Sequence, residues 1–357
     1  MVPGHAGSST TGPKGVIAYI YDYKEETGMK TGWKKHLSGL AMLASLAVVT
    51  TPGTSAAQAF PQRPITVVVG FPAGGQTDIH ARLLGDAMSA ILGQPIIVEN
   101  RPGAGTTIAA THVAKSKGDG YTLLYGGVST LTLAHHTYPT LPYSHDDFQP
   151  VALIEEVPLA LMVDARKIPS TNVADYIAHA REKNGTLNYA TTGAGVITHL
   201  LGEEIQSVLG IKTPPIHYRG SAQATTDVIG GHISVIVDGL GNATPYLREG
   251  RLRALGVSSG QRLRSLPDVP TFAEQGYPAL HLAPWAGLLA PADTPPELVE
   301  TLHAAAVKAM ASTELRDRFM ADGTIPLDIP AAQMKDKVAR DHKTWSDIAI
   351  RLNLNAQ

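Results

Sequence analysis

The stretch ITVVVGFPAGGQTD, residues 65–78, joins a strand pattern directly to a helix start. Its first five residues form an apolar, β-branched run that ends at Gly70, as in a buried parallel strand. A loop follows, and apolar residues then recur at helical spacing from Ile79 to Ile91. A strand, a glycine-containing loop and a helix in this order indicate an α/β unit.

The same alternation continues along the chain and predicts two α/β domains. Strand patterns at 96–98 and 121–125 extend the first block, and a second block of strands and helices begins near Leu159. We expect each block to form a mainly parallel sheet flanked by helices. Thr271 and Glu274 form a capping-box pattern that predicts a short helix, and helical patterns at 297–311, 314–321 and 331–352 end the chain.

Composition excludes several classes of protein. The chain has 357 residues and a formal net charge of −2, so no basic excess favours nucleic acid or an anionic membrane. It contains no cysteine, which excludes disulfides, thiolate nucleophiles and cysteine-ligated metals. We expect no cofactor and no metal ion.

The first 59 residues have the pattern of an export signal. Lys30, Lys34 and Lys35 precede an uncharged apolar stretch at 37–49, which is too short to span a bilayer. An Ala-Gln-Ala sequence then predicts cleavage after Ala59. We therefore expect residues 29–59 to be a Sec-type signal peptide of a Gram-negative bacterium, translation to begin at Met29, and the mature protein to be periplasmic. A membrane anchor or a buried helix is the alternative interpretation.

Two loops are candidates for binding an anion. Small residues lie where a strand becomes a helix at Ala73-Gly74-Gly75 and again at Gly193-Ala194-Gly195. A helix N-terminus carries unpaired N–H groups and a partial positive charge, and glycine lets a ligand approach them closely. Two such ends facing one cleft would hold a carboxylate, although each loop could equally be a tight turn without a ligand. The second loop has Thr198 where a dinucleotide fingerprint needs glycine, and neither loop is a P-loop, which disfavours nucleotides.

Seven segments together resemble the extracytoplasmic receptors of tripartite tricarboxylate transporters, also called the Bug (Bordetella uptake gene) family. The resemblance covers residues 60 to 357. The segments are Phe71-Pro72-Ala73-Gly74-Gly75-x-Thr77-Asp78, Glu99-Asn100-Arg101-Pro102-Gly103-Ala104-Gly105, Asp119-Gly120-Tyr121-Thr122-Leu123-Leu124, Leu141-Pro142-Tyr143, Tyr218-Arg219-Gly220, Leu266-Pro267-Asp268-Val269-Pro270-Thr271 and Trp285-x-Gly287-Leu288-x-Ala290-Pro291.

The resemblance implies a two-domain Venus flytrap fold that closes on its ligand by a hinge motion. Domain 1 would comprise residues 60–160 and 285–357, and domain 2 would comprise 161–284. Such receptors bind di- and tricarboxylates, acidic amino acids or aromatic acids and deliver them to a membrane permease. We expect a monomer that carries out no catalysis.

The resemblance also assigns ligand-binding positions in this chain. These are Phe71, Ala73, Gly74, Gly75, Thr77 and Asp78 in the first loop, Ser129 and Thr130 in a later loop, Thr191, Thr192, Gly193, Ala194 and Gly195 in domain 2, and Arg219 and Asp238. Alternative roles stay open for three of them. Asp78 would instead complement the helix dipole, Arg219 would form a structural ion pair, and Asp238 would accept a backbone N–H rather than a ligand amine or hydroxyl.

The sequence departs from the family pattern at three places. Ala134-His135 replaces a frequent Asn-Pro, Val196 replaces a small polar residue, and Gln223 replaces a proline. Together the departures predict a domain 2 surface that is more apolar than in citrate-type receptors, and a ligand with a hydrocarbon or aromatic part.

Three other functions were weighed against solute capture. A metal site would use His135-His136 or His145-Asp146-Asp147, but neither has the spacing of a helical zinc pair. A hydrolase would need a nucleophile elbow, and the segment at 127–131 lacks its final glycine. A periplasmic sensor that feeds a two-component system would share the binding fold and cannot be separated from a transport receptor by sequence.

Overall fold

Residues 60–354, the part of the chain that this computed structural model describes, contain eleven strands and ten α-helices, with four short 3-10 or π segments between them. In chain order the strands are β1 (Ile65–Val69), β2 (Ile96–Asn100), β3 (Thr122–Gly127), β4 (Phe148–Glu156), β5 (Ala160–Asp164), β6 (Tyr189–Thr191), β7 (Pro215–His217), β8 (Val235–Asp238), β9 (Leu252–Val257), β10 (Trp285–Pro291) and β11 (Ile325–Pro326). The helices are α1 (Gln76–Leu92), α2 (Thr107–Ala114), α3 (Ala134–Thr137), α4 (Val173–Lys183), α5 (Ile197–Leu209), α6 (Ser221–Gly230), α7 (Thr244–Arg248), α8 (Pro296–Met310), α9 (Thr313–Ala321) and α10 (Ala331–Arg351).

The strands form two sheets, each with helices packed against it. The first sheet has the order β11-β4-β10-β3-β1-β2, and we call it and its helices lobe 1. The second has the order β7-β6-β8-β5-β9 and belongs to lobe 2. The predicted two-domain α/β architecture is therefore confirmed, while the boundaries given for the domains remain a prediction. The predicted signal peptide lies outside the described residues, and no helix among those described is long and apolar enough to span a membrane.

Pairing within both sheets is mixed, which corrects the expectation of mainly parallel sheets. In lobe 1, β1 pairs in parallel with β2 and β3, but β10 is antiparallel to β3 and β4. In lobe 2, β6 pairs in parallel with β7 and β8, whereas β5 is antiparallel to β8 and β9. The reason is the route of the chain, because a chain that enters lobe 2 and returns must cross between the lobes in opposite directions.

The two crossings lie side by side. The outgoing crossing joins β4 to β5, and the returning one leads from β9 to β10. The Val157 N–H donates to Pro284 O at 2.7 Å, and the Ser258 N–H donates to Leu159 O at 2.9 Å. The crossings are therefore hydrogen-bonded to each other and form one hinge between the lobes.

Apolar residues on both faces of the first sheet explain the continuous apolar run in β1. Val67 and Val69 pack with α1 and α8 in one cluster, which includes Leu84 and Leu302. Val68 packs on the opposite face in a second cluster, because successive side chains of a strand alternate between faces. Burial on both faces favours the β-branched run that marks this strand in the sequence.

The last helix, α10, contacts both lobes. Met334 and Trp345 are buried in the large cluster that also contains residues of lobe 2. At the helix end, Arg351 Nη2 donates to both carboxylate oxygens of Glu204 on α5 at 2.7 Å.

One strand was not predicted, and one predicted helix is wrong. Strand β4 was not predicted, since Pro150 and the final Glu155-Glu156 interrupt its apolar pattern. The capping box at Thr271 is present, with Thr271 N–H donating to Glu274 Oε2 at 2.7 Å and Glu274 N–H to Thr271 Oγ1 at 3.1 Å. It closes a turn rather than a helix, because the chain turns again at Gly276, which has a φ of +94°.

Candidate functional site

The lobes enclose a cavity of about 250 Å³ beside the hinge. Lobe 1 contributes the loop before α1, residues 126–130 and Glu155, and lobe 2 contributes residues 219–223 and the end of β8. The sequence-predicted residues that line it are Phe71, Ala73, Gly75, Thr77, Ser129, Thr130, Thr192, Arg219 and Asp238. The predicted residues outside its lining are Gly74, Asp78, Thr191, Gly193, Ala194 and Gly195.

Three helix N-termini reach the cavity wall, one more than the sequence suggested. They are the starts of α1, α5 and α6, at Gln76, Ile197 and Ser221. In α1 the first helical hydrogen bond runs from Ile79 N–H to Gly75 O at 3.0 Å, so the preceding amides have no partner within the helix. The wall therefore carries partial positive charge from both lobes.

Asp78 holds the first loop in shape from behind the wall. Its carboxylate accepts Gly74 N–H at 2.9 Å and Asn100 Nδ2–H at 2.9 Å, and pairs with Arg82 at 2.8 Å. Burial raises the pKa of Asp78, but the hydrogen bonds from Arg82, Gly74 and Asn100 outweigh burial and lower the pKa below its ordinary value. This geometry fits the structural role that the sequence left open for Asp78.

Most polar groups of the second loop are used within lobe 2. Thr192 N–H donates to Thr198 Oγ1 at 3.0 Å, and Gly195 N–H donates to His199 Nδ1 at 3.2 Å. The pKa of His199 is lowered to about 4, first by burial and then by the nearby His217, so the ring is a neutral acceptor. Gly195, with a φ of +72°, lies against Thr137 of lobe 1, where a Cβ atom would come within 2.9 Å of its Oγ1. Glycine at this position therefore serves the contact between lobes.

Ser129 connects the lobes at the cavity wall. Its Oγ accepts the N–H of Ile197, the first residue of α5, at 3.1 Å. One of the predicted anion-binding helix ends is thus already bonded to a side chain of the opposite lobe. The Thr130 hydroxyl bonds to Thr106 Oγ1 at 2.9 Å.

Arg219 is an exposed cation on the lobe 2 side of the cavity. Its backbone N–H donates to Gln223 Oε1 at 3.2 Å, which holds the start of the loop. Within residues 60–354 the guanidinium has no ion-pair partner, so the structural ion pair considered from sequence is not formed there. A free guanidinium beside three helix N-termini is suited to a carboxylate ligand.

Comparison with known proteins agrees with this geometry. Residues 80–354 match the model of the tripartite tricarboxylate transporter family receptor. The protein BugT of Bordetella pertussis is 34% identical over 305 residues, covering 84% of this chain and 93% of BugT. The chain belongs to this receptor family.

Two solved structures are also similar to the receptor. MatC from Rhodopseudomonas palustris, solved with bound malate, has a TM-score of 0.76 and 33% identity, covering 81% of this chain and all of MatC. A second R. palustris protein, solved with adipate, has a TM-score of 0.79 and 32% identity, covering 83% of this chain and 99% of its own.

Asp238 is a buried acid in the lobe 2 wall of the receptor's cavity, at the end of β8. It is 5% exposed, and Oδ1 accepts the N–H of Gly239 at 2.8 Å. Oδ2 is buried and has no hydrogen-bond partner in the described part of the chain. Burial raises the pKa of Asp238 to about 7 and outweighs the Ser221 side chain and the Gly239 N–H, which both lower this pKa.

A charged cluster behind the lobe 1 wall was not predicted. Glu155 lines the cavity but is only 1% exposed, and it accepts hydrogen bonds from His80 Nδ1 at 2.8 Å and from the Tyr125 hydroxyl at 2.6 Å. His80 Nε2 lies 3.4 Å from Asp322 Oδ2. Burial lowers the pKa of His80, but Glu155 and Asp322 outweigh it and raise the pKa to about 9. The imidazole is therefore a cation at neutral pH.

Gln76 and Asn242 join the lobes across the cavity mouth. Gln76 Nε2 donates to Asp322 O at 3.1 Å, and its Oε1 accepts Gly241 N–H from lobe 2 at 3.3 Å. Asn242 Nδ2 donates to Gly74 O at 3.1 Å. These bonds hold the lobes in the closed arrangement, and sequence reasoning missed both residues because nothing local marks a contact between residues 165 positions apart.

The histidine pairs noted in the sequence lie away from the cavity. The ring centroids of His145 and His342 are 4.9 Å apart, and His135 lies 6.3 Å from His145. Over residues 60–354, no group of three or more histidine, aspartate or glutamate side chains is arranged to hold a metal ion.

Proposed function

We propose that this receptor captures a small organic carboxylate in the periplasm and delivers it, unchanged, to a tripartite tricarboxylate-type permease. The observation that carries the proposal is the convergence of three helix N-termini and Arg219, which has no ion-pair partner within residues 60–354, on one cavity between two hinged lobes.

The polarity of the cavity supports an anionic ligand. The N-termini of α1 and α6 supply partial positive charge, although the first N–H of α5 is already bonded to Ser129, and Arg219 adds a full charge at the lobe 2 side. MatC and the second R. palustris protein, both of similar fold, were solved with malate and adipate, which are dicarboxylates. Apolar residues such as Val157, Leu159 and Trp285 cover much of the remaining wall. A dicarboxylate with a hydrocarbon middle therefore suits this cavity.

A thermal-shift screen of the purified protein against organic acids tests the proposal. Malate, adipate, citrate and benzoate sample the classes of acid, and a ligand at about 100 times its Kd should add about 2.7 kcal/mol of stability. Gly75→Leu should abolish the shift. Gly75 has a φ of −79°, and a Cβ would lie no closer than 3.5 Å to Pro72 O, so the added side chain can enter the cavity without backbone strain.

Ala178→Leu is the matched control, since Ala178 is exposed on α4, far from the cavity lining. It adds comparable bulk and should keep the full shift. A shift that survives in Gly75→Leu would contradict the assigned site, and the absence of a shift with every acid would contradict the ligand class.

Delivery and location need separate measurements. N-terminal sequencing of the exported protein should give a mature start at Phe60, and size-exclusion chromatography should give a monomer. Cells that lack the permease should lose uptake of the identified acid while the receptor still binds it. Recovery of chemically altered acid after incubation with the purified receptor would refute binding without turnover.

A further inference from the structure

We propose that Asp238 donates a proton in a hydrogen bond to the bound acid, so that capture of the anion is accompanied by uptake of one proton. This inference rests on the proposed function, because it takes the ligand to be a carboxylate. It adds Asp238 to the helix N-termini and Arg219 as a hydrogen-bond donor that recognises the ligand.

Only one of the two carboxyl oxygens of Asp238 has a hydrogen-bond partner among the described residues. The side chain lies in the wall shared by both lobes, with Gly239 packed against Gln76 of lobe 1. Oδ1 has its donor in the Gly239 N–H. The Ser221 side chain acts on the carboxyl and lowers its pKa, but it makes no hydrogen bond to Oδ2, which is buried with no partner among the described residues. A buried polar atom without a partner is destabilising, so a ligand group that forms a hydrogen bond with Oδ2 gains affinity by removing that penalty.

No cation in the described residues compensates a charge on this carboxyl. The charged groups that share the cavity wall with it are Arg219 and Glu155, and neither forms a hydrogen bond or ion pair with it. On the elements packed against β8, each titratable group has another partner. Asp164 pairs with Arg166, Glu203 accepts from Tyr189, Glu204 pairs with Arg351, Asp227 interacts with Tyr218, and His199 accepts from Gly195.

An anionic ligand makes the neutral form of Asp238 more favourable still. Two carboxylates that share a buried site cannot both be ionised at low cost, so one holds a proton. The protonated Asp238 has one O–H to donate, and a ligand carboxylate is an acceptor without a donor. Burial raises the pKa of Asp238 to about 7 even against the lowering contributions of Ser221 and Gly239, so the carboxyl is about half protonated at neutral pH before a ligand binds. A ligand ammonium at the same place would have the opposite effect and would release a proton.

Calorimetric titration with adipate tests the inference. Measurements at pH 6 to 8.5 in two buffers of different ionisation enthalpy give both the affinity and the number of protons exchanged. We expect net uptake approaching one proton above pH 7 and an affinity that falls up to tenfold per pH unit there. Asp238→Asn keeps a neutral donor of the same shape, so its affinity should be nearly independent of pH. Asp238→Leu removes the donor and should weaken binding at pH 6 as well.

A second arm needs no ligand. The ¹³C carboxyl resonance of Asp238, assigned by its loss in Asp238→Asn, should titrate near pH 7. Titration below pH 5 overturns the inference, as does proton release or no proton exchange on binding adipate. If adipate gives no heat, the proposed ligand class is weakened, while the resonance still decides whether Asp238 carries the proton.

Discussion

The buried cluster of His80, Glu155 and Asp322 predicts an alkaline loss of stability. The pKa of His80 is about 9 in the folded protein against an ordinary 6.5. At roughly 1.4 kcal/mol per pH unit, this difference is worth about 3 kcal/mol of folding free energy. Because the folded-state pKa is raised, the contribution is complete below pH 6.5 and is lost as the pH rises to 9.

The assay is urea unfolding at pH 6.5, 7.5 and 9, followed by the fluorescence of the buried Trp285 and Trp345. The wild-type free energy of unfolding should fall by about 3 kcal/mol across this range. Glu155→Gln removes the charge that most raises the pKa of His80 while keeping the shape of the side chain, so its stability should change much less with pH.

The control is Asp317→Asn, which removes an exposed acid that pairs with Arg264 at the surface. It should leave the wild-type pH dependence unchanged, since exposed pairs contribute little. The reasoning is refuted if the wild type loses less than about 1 kcal/mol between pH 6.5 and 9, or if Glu155→Gln shows the full wild-type fall.

Two further predictions concern closure and charge. Gln76→Ala removes the bridge between Asp322 O and Gly241 N–H. It should weaken adipate binding about tenfold, as expected for about 1–1.5 kcal/mol of lost hydrogen bonding, and should increase the radius of gyration measured by X-ray scattering. An unchanged affinity and radius of gyration would show that the bridge does not hold the lobes together. Arg219→Gln should weaken adipate binding by about tenfold at low salt and by less at high salt, because a charged contact is screened. An equal loss at both ionic strengths would show that Arg219 does not act through its charge.

Local patterns made the α/β units readable in the sequence. The β-branched run of β1 and the helical spacing of α1 follow from burial that each segment shows by itself. Strand β4 was missed because its register depends on β10, which is more than a hundred residues away in the chain. Mixed pairing is likewise a property of the chain's path between lobes and leaves no local mark.

The candidate site was predictable where a family resemblance existed and not elsewhere. Thr77, Ser129 and Asp238 were placed by matching motifs, and all three line the cavity. Glu155 was not, because the partners that stabilise this buried acid, His80 and Tyr125, lie 75 and 30 positions earlier in the chain. Gly195 was predicted to bind the ligand but instead lies in the contact between lobes, where a larger residue would collide with Thr137. A loop sequence alone does not distinguish a glycine that makes room for a ligand from one that makes room for another part of the protein.

Helix α10 contacts both lobes, and these contacts limit how the lobes can separate. Its Met334 end packs in lobe 1 near β4, and its Arg351 end is fastened to Glu204 of lobe 2. A rotation of the lobes about the hydrogen-bonded crossings must therefore either bend α10 or break the Arg351–Glu204 ion pair. The packing of α10 and its Arg351–Glu204 ion pair thus oppose separation of the lobes, in addition to the hydrogen bonds between the crossings.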